Sequence, residues 1–170
     1  VVDAGKESSL SFFIQDKHYL LPQLILNAGF RYDLKYRERD NINSFSPRLA
    51  LLYVPNDRFS LKLSYSEAFA DLSFYYRFIS NIQTEDYNTN PQHLSAVQLT
   101  TMGIISPLHL NYEVNLFYNT YNNLLLWVPR EIYPEKNVGQ LTNIGIEGTA
   151  SYAYKRLSAY LSIYYCHDTR

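Results

Sequence analysis

Apolar and polar side chains alternate along this chain in segment after segment, and that period constrains the fold more than any other feature. In LNYEVNLFYN, Leu110, Tyr112, Val114, Leu116 and Tyr118 alternate with Asn111, Glu113, Asn115 and Asn119, with Phe117 the one exception. In FSLKLSYS, Phe59, Leu61, Leu63 and Tyr65 oppose Ser60, Lys62, Ser64 and Ser66. In LSAYLSIYY, Leu157, Ala159, Leu161, Ile163 and Tyr165 oppose Ser158, Tyr160, Ser162 and Tyr164. A period of two puts each set on one face of a β-strand. Helical periodicity is absent. The same rule predicts eight strands, over 9–16, 23–34, 45–54, 58–68, 94–105, 109–127, 140–153 and 157–168.

The connections discriminate between architectures that share this period. KHYLLP, PND, SPL and YKR are tight, whereas KYRERDNINS, ADLSFYYRFISNIQTEDYNTNPQH and VPREIYPEKNVG are extended, and the two kinds alternate. A β-sandwich buries its apolar face against a second sheet and has loops of mixed length at both ends. A membrane barrel turns that face to lipid, with short turns on the periplasmic side and long loops outside. The segment 109–127 is also long for a sandwich strand, whose typical length is about 5–6 residues. Tyr19, Tyr32, Tyr36, Phe45, Tyr53, Phe59, Phe69, Trp127, Tyr152 and Tyr154 collect near strand ends, where amphipathic rings form girdles at the headgroup level. The predicted fold is therefore all-β, an antiparallel transmembrane β-barrel segment of about eight strands. No run approaches the ~18 apolar residues of a spanning helix, but barrel strands need alternate over only ~9–11.

In such a wall LNAGFRYD resolves into two faces. Leu26, Ala28, Phe30 and Tyr32 turn to lipid, and Asn27, Gly29, Arg31 and Asp33 turn inward. Arg31, Lys62, Glu113 and Glu147 all fall on the inward face, where charge is inexpensive. On the lipid face an Arg or Lys would cost ~2–4 kcal/mol near the midplane.

Composition removes other function classes. With 15 basic and 16 acidic side chains in 170 residues, neither sign forms a nucleic-acid footprint. Cys166 is the only cysteine, and His18, His93, His109 and His167 are scattered without ligand spacing, so no metal site and no nucleophile dyad is expected. DYNTN, residues 86–90, begins like a calcium loop, but Pro91 stands where the loop needs Gly and Val97 where it needs Glu. Phosphate-binding glycine loops are missing. The chain is expected to be no enzyme and to carry no cofactor.

Several phrases in order give a family resemblance. FFIQD followed by LILNAGFRYD, then FSPRLALLYVPNDRFSLKLSYSEAF, then NPQHL, NYEVNLFYNTYNNLLLW and LTNIGIEGTASYAY, resemble the barrel of a TonB-dependent outer-membrane receptor. Departures lie at Asp71-Leu72-Ser73, where the family often has Pro-Ser, and near Leu94-Ser95, where a Pro-Glu often follows. The resemblance implies a bacterial outer-membrane location, contact with membrane lipid, and active uptake of a small ligand or glycan such as an iron chelate, corrinoid or oligosaccharide. It also implies an energy-coupling protein of the TonB type that acts through a plug. Such receptors are plugged barrels of 22 strands, so residues 1–170 are expected to be an internal stretch of one barrel, without plug or coupling segment. The opening VVDAGKESSL shows no leader pattern.

Within that frame the loops 69–93 and 128–139 are the candidate ligand-binding elements. They hold Tyr75, Tyr76, Arg77, Tyr87, Trp127, Arg130 and Tyr133 in or beside them, aromatics and arginines able to stack on a sugar or chelate and pair with its acidic groups. Two other readings share the alternation. One is a self-contained eight-stranded outer-membrane barrel acting as anchor or adhesion module, with Arg31, Lys62, Glu113 and Glu147 paired inside it. The other is a soluble carbohydrate-binding β-sandwich.

Overall fold

The computed structural model describes residues 6–37, 41–71, 91–127 and 135–169. Eight strands follow in chain order: β1 (Glu7–Leu21), β2 (Leu24–Arg37), β3 (Ile42–Asn56), β4 (Phe59–Ala70), β5 (Gln92–Ile105), β6 (Leu110–Trp127), β7 (Glu135–Tyr154) and β8 (Leu157–Thr169). Each pairs antiparallel with the next, so the sheet order is the sequence order. The predicted count and placement hold, and the strands run longer than expected at several ends. KHYLLP is not a turn: β1 continues to Leu21 and the reversal is Pro22–Gln23. The KYRERDNINS connection shrinks to residues 38–41, and β7 starts at Glu135, well before the predicted 140. Ladder hydrogen bonds carry these polar ends as strand, which side-chain alternation alone does not reveal.

Local chemistry sets the short reversals. At residues 57–58 the Arg58 amide donates to Asn56 Oδ1 at 2.9 Å, an Asx-type link. Residues 106–108 form one 3-10 turn with a proline in it, closed by His109 in the left-handed region at φ 50°. Lys155, at φ 53°, reverses the chain between β7 and β8. The opposite end of the sheet carries the longer connections, 71–91 and 128–134. Near it the β6–β7 register slips between Tyr121 and Leu124, where Asn123 adopts φ 57° and its Nδ2 donates to the Pro91 carbonyl at 3.2 Å. Asn tolerates the left-handed region, and such bulges sit at barrel rims.

The register sorts side chains into two faces. Leu51, Leu63, Leu99, Leu116, Ile146 and Tyr165 are successive cross-strand partners from β3 to β8, one unbroken apolar row. On this face Phe12 is 56%, Phe45 53% and Ile163 57% exposed, and among the described residues no large side chain is fully buried. A soluble sandwich of this size would bury a core between two sheets; here one sheet leaves its apolar face open. That removes the sandwich reading. Among the described residues β1 pairs only with β2 and β8 only with β7, so these strands form an open sheet and not a closed eight-stranded barrel.

Aromatics edge the apolar face at both ends. Tyr53, Phe59, Tyr112 and Tyr152 share its register near the tight turns, and Tyr32, Phe45 and Phe69 near the longer connections. Tyr19 pairs with Ile25 in the polar-face register, so it does not belong to either apolar-face row.

Candidate functional site on the polar face

The polar face is concave. A hollow of ≈ 720 Å³ opens on it across β1 to β5, and another of ≈ 620 Å³ lies toward the tight turns across β3 to β8. Arg31, Lys62, Glu113 and Glu147 all lie on this face, as the alternation predicts. They are not gathered into one cluster. Lys62, Thr100, Asn115 and Glu147 are successive partners across β4 to β7, a transverse polar row with a cation at one end and an acid at the other. In its middle the Thr100 hydroxyl donates to Asn115 Oδ1 at 2.9 Å.

Arg31 does have a partner. Residues i and i+2 of a strand share a face, and Arg31 Nη2 lies 2.7 Å from Asp33 Oδ1 while its Nε donates to Asp33 Oδ2 at 2.8 Å. Across the β1–β2 ladder the Ser11 hydroxyl donates to the same Oδ1 at 2.5 Å. Asp33 is 3% exposed, and this fork of donors is what makes its burial tolerable.

A second cluster stands one step nearer the longer connections. Lys35 Nζ lies 2.9 Å from Asp71 Oδ2, and Arg37 Nε donates to Glu7 Oε2 at 2.7 Å. Arg37 Nη2 also pairs with Asp71. Asp71, just after β4, thus reaches over the end of β3 to cations of β2 and ties the base of the 71–91 connection to the inner wall. The sequence held a signal for half of this, since Lys35 and Arg37 repeat the i, i+2 spacing of Arg31 and Asp33. The acids came from other strands and needed the register.

One apolar group on this face also has a cause. Phe117, the exception in its strand, is opposite Gly145 and stacks on Tyr164, with ring centroids 6.0 Å apart and planes at 18°. A Cβ on Gly145 would come within 2.4 Å of the Phe117 ring and of the Tyr165 carbonyl oxygen. The missing side chain is the space the ring occupies.

Tyr75, Tyr76, Arg77, Tyr87, Arg130 and Tyr133 lie outside the described residues, as does the whole DYNTN segment. Trp127 ends β6, opposite Glu135, so its backbone stands at the rim with the longer connections. Among the described residues no three His, Cys, Asp or Glu side chains come together as a metal site would require, and no helix is long and apolar enough to cross a membrane.

Comparison with known proteins gives a family match over nearly the whole chain. The family described as TonB dependent receptor-like, beta-barrel, matches residues 2–169. No curated protein matches the sequence. Similar solved structures include the FrpB iron transporter from Neisseria meningitidis (F3-3 variant), with a TM-score of 0.76 at 16% identity over 95% of this chain and 26% of that one. The ferripyoverdine receptor of the outer membrane of Pseudomonas aeruginosa, bound to ferripyoverdine, gives 0.69 at 19% identity over 96% of this chain and 23% of its own. The alcaligin outer-membrane receptor FauA from Bordetella pertussis gives 0.62 at 17% identity over 95% of this chain and 30% of its own. The chain spans about a quarter of the length of these structures.

Proposed function

The chain belongs to the TonB-dependent receptor β-barrel family of the Gram-negative outer membrane, and from that premise we propose that it forms one stretch of the wall of an active importer. The observation that carries this reading is the unbroken eight-stranded meander, apolar and uncovered on one face, polar and concave on the other. In a closed barrel the first face meets lipid and the second lines the lumen. Residues 1–170 would then be barrel only, with the plug and its TonB-type coupling partner contributed from outside these strands.

The tight turns would face the periplasm and the connections 71–91 and 128–134 the cell exterior. Tyr75, Tyr76, Arg77, Tyr87, Trp127, Arg130 and Tyr133 are then ligand contacts at the outer mouth. An iron chelate is the favoured ligand over a corrinoid or an oligosaccharide. Support comes from the structural neighbours, named as an iron transporter, a ferripyoverdine receptor and an alcaligin receptor.

Uptake of radioactive ferric chelates by whole cells tests the reading. Deleting either the gene or the coupling protein is expected to abolish energised uptake of at least one chelate. Replacing Tyr75, Tyr76 and Arg77 together by Ala is expected to lower that uptake while leaving barrel insertion unchanged. Uptake of every chelate unaffected by deletion of the gene would contradict it.

A further inference from the structure

Two of the tight turns meet on the apolar face. The turn 106–109 and the reversal between β7 and β8 are neighbours through the β6–β7 ladder, and the Ala153 amide donates to the His109 carbonyl at 3.1 Å. Tyr154 stands two residues beyond Tyr152 and so shares the apolar face. The His109 ring stacks on it, with centroids 4.5 Å apart and planes at 26°, and Lys155 Nζ lies 5.0 Å from the Tyr154 centroid. An ammonium held over a ring of the apolar face is held on the membrane side of the rim. The Lys17–Tyr19 pair has a similar spacing, 5.1 Å, but belongs to the polar-face register. His109 and Lys155 both occupy left-handed backbone, at φ 50° and 53°, where Gly or Asn is at ease; the chain keeps an imidazole and an ammonium there instead. Neither turn carries an acid, and among the described residues no carboxylate is within ion-pair distance of Lys155 or Arg156.

Along β7 from these turns the apolar face is hollowed. After Tyr152 its next two positions on that face are Ala150 and Gly148. Ala150 lies between Tyr112 of β6 and Leu161 of β8, and Gly148 between Val114 and Ile163, so small residues run between large ones. The Tyr112 ring does not roof this trough, because it lies over Gly103 of β5, where a Cβ would come within 2.4 Å of it. Packing does not demand Gly148, since a Cβ there would meet nothing nearer than the Glu113 carbonyl oxygen at 3.9 Å. Both the ring stack and the trough lie outside the barrel, on the face away from any plug.

We infer that β7 seats one anionic phospholipid of the periplasmic leaflet. Its phosphate sits against Lys155 and His109 beside the Tyr154 ring, and one acyl chain lies in the trough over Ala150 and Gly148. The inference rests on the lipid-facing wall proposed above and adds a bound lipid to it. Lys155 supplies a compact charge for the phosphodiester, His109 a ring N–H, and Arg156, next in the same turn, adds to the positive potential. The chain contacts dispose of the alternative that any anion would serve, because a free phosphate gains nothing from the trough.

The test uses the intact receptor in phosphatidylcholine vesicles, with its native cysteines replaced by Ser, Cys166→Ser among them. A bimane label is placed at Leu161→Cys on the bank of the trough, or at Leu61→Cys near the Asp57–Arg58 turn, whose charges cancel. Its quenching is titrated with phosphatidylglycerol or phosphatidylcholine bearing a doxyl group on one chain. At Leu161→Cys the anionic lipid is expected to be preferred at least about fivefold, the usual gain from one basic side chain near an anionic lipid surface. At Leu61→Cys the two lipids should quench alike. Lys155→Gln with Arg156→Gln should abolish the preference, Lys155→Arg should keep it, and Gly148→Leu, which fills the trough without touching a charge, should lower it. Glycerol phosphate at constant ionic strength should leave the quenching unchanged; if it displaced the lipid, the site would belong to a free phosphate and the inference would fall. Equal quenching by both lipids at Leu161→Cys, the same preference at Leu61→Cys, or a preference that survives the double Gln substitution would overturn the lipid site and leave the lipid-facing wall standing. Quenching by neither lipid at either position would overturn the wall as well.

Discussion

Phe117 shows what a single residue can and cannot disclose. Its place against the alternation was legible in the sequence, but its reason was not, because Gly145 lies on another strand and only the register brings the two together. The close approach gives a prediction. Gly145→Ala is expected to destabilise the barrel by about 1–3 kcal/mol, the usual penalty of overpacking. Removing the ring as well, with Phe117→Ala, should restore only part of the loss, since the Tyr165 carbonyl oxygen still stands 2.4 Å from the new Cβ. Urea titration in detergent micelles, followed by heat-modifiable gel mobility, checks both statements; a Gly145→Ala barrel as stable as the parent would refute the steric account. Arg31 and Asp33 are the contrasting case: two residues apart on one strand, they were readable as neighbours, whereas Ser11, which completes the cluster, was not.

At the level of the strand, the period of two predicts which substitutions a membrane tolerates. Leu63 and Ser64 are adjacent in β4 but face opposite ways, Leu63 in the apolar row with Leu51 and Leu99, Ser64 beside Ala50 and Gln98. Leu63→Arg is expected to cost up to ~2–4 kcal/mol of folding free energy in lipid, according to its depth, and Ser64→Arg close to nothing. Refolding into lipid vesicles, scored by the folded fraction on unheated gels, distinguishes them; equal losses at both positions would deny the two-faced strand. The same period explains why strand number and order were readable from the sequence while ends were not. Residues such as Glu135, Lys136 and Asn137 pair through backbone groups, and three polar residues in a row give no alternation to read.

For the molecule as a whole, the decisive property is that the described residues form one sheet with no second layer on its apolar face. The alternating loop lengths favoured a membrane wall over a soluble sheet, while the sequence kept the sandwich and the small closed barrel as alternatives. The meander order and the uncovered apolar face removed them. The candidate ligand contacts are less legible in the sequence, because a loop residue's position follows from no period. The most direct measurement of the central claim is a nitroxide scan along β4 from Leu61 to Ser66 in outer-membrane vesicles. The label is read for accessibility to oxygen, which concentrates in lipid, and to a water-soluble nickel chelate. Leu61, Leu63 and Tyr65 should respond to oxygen and be protected from nickel, and Lys62, Ser64 and Ser66 should not share that oxygen response. Leu61, Leu63 and Tyr65 shielded from both reagents, as in a protein core, or open to nickel, as on a soluble surface, would contradict the account.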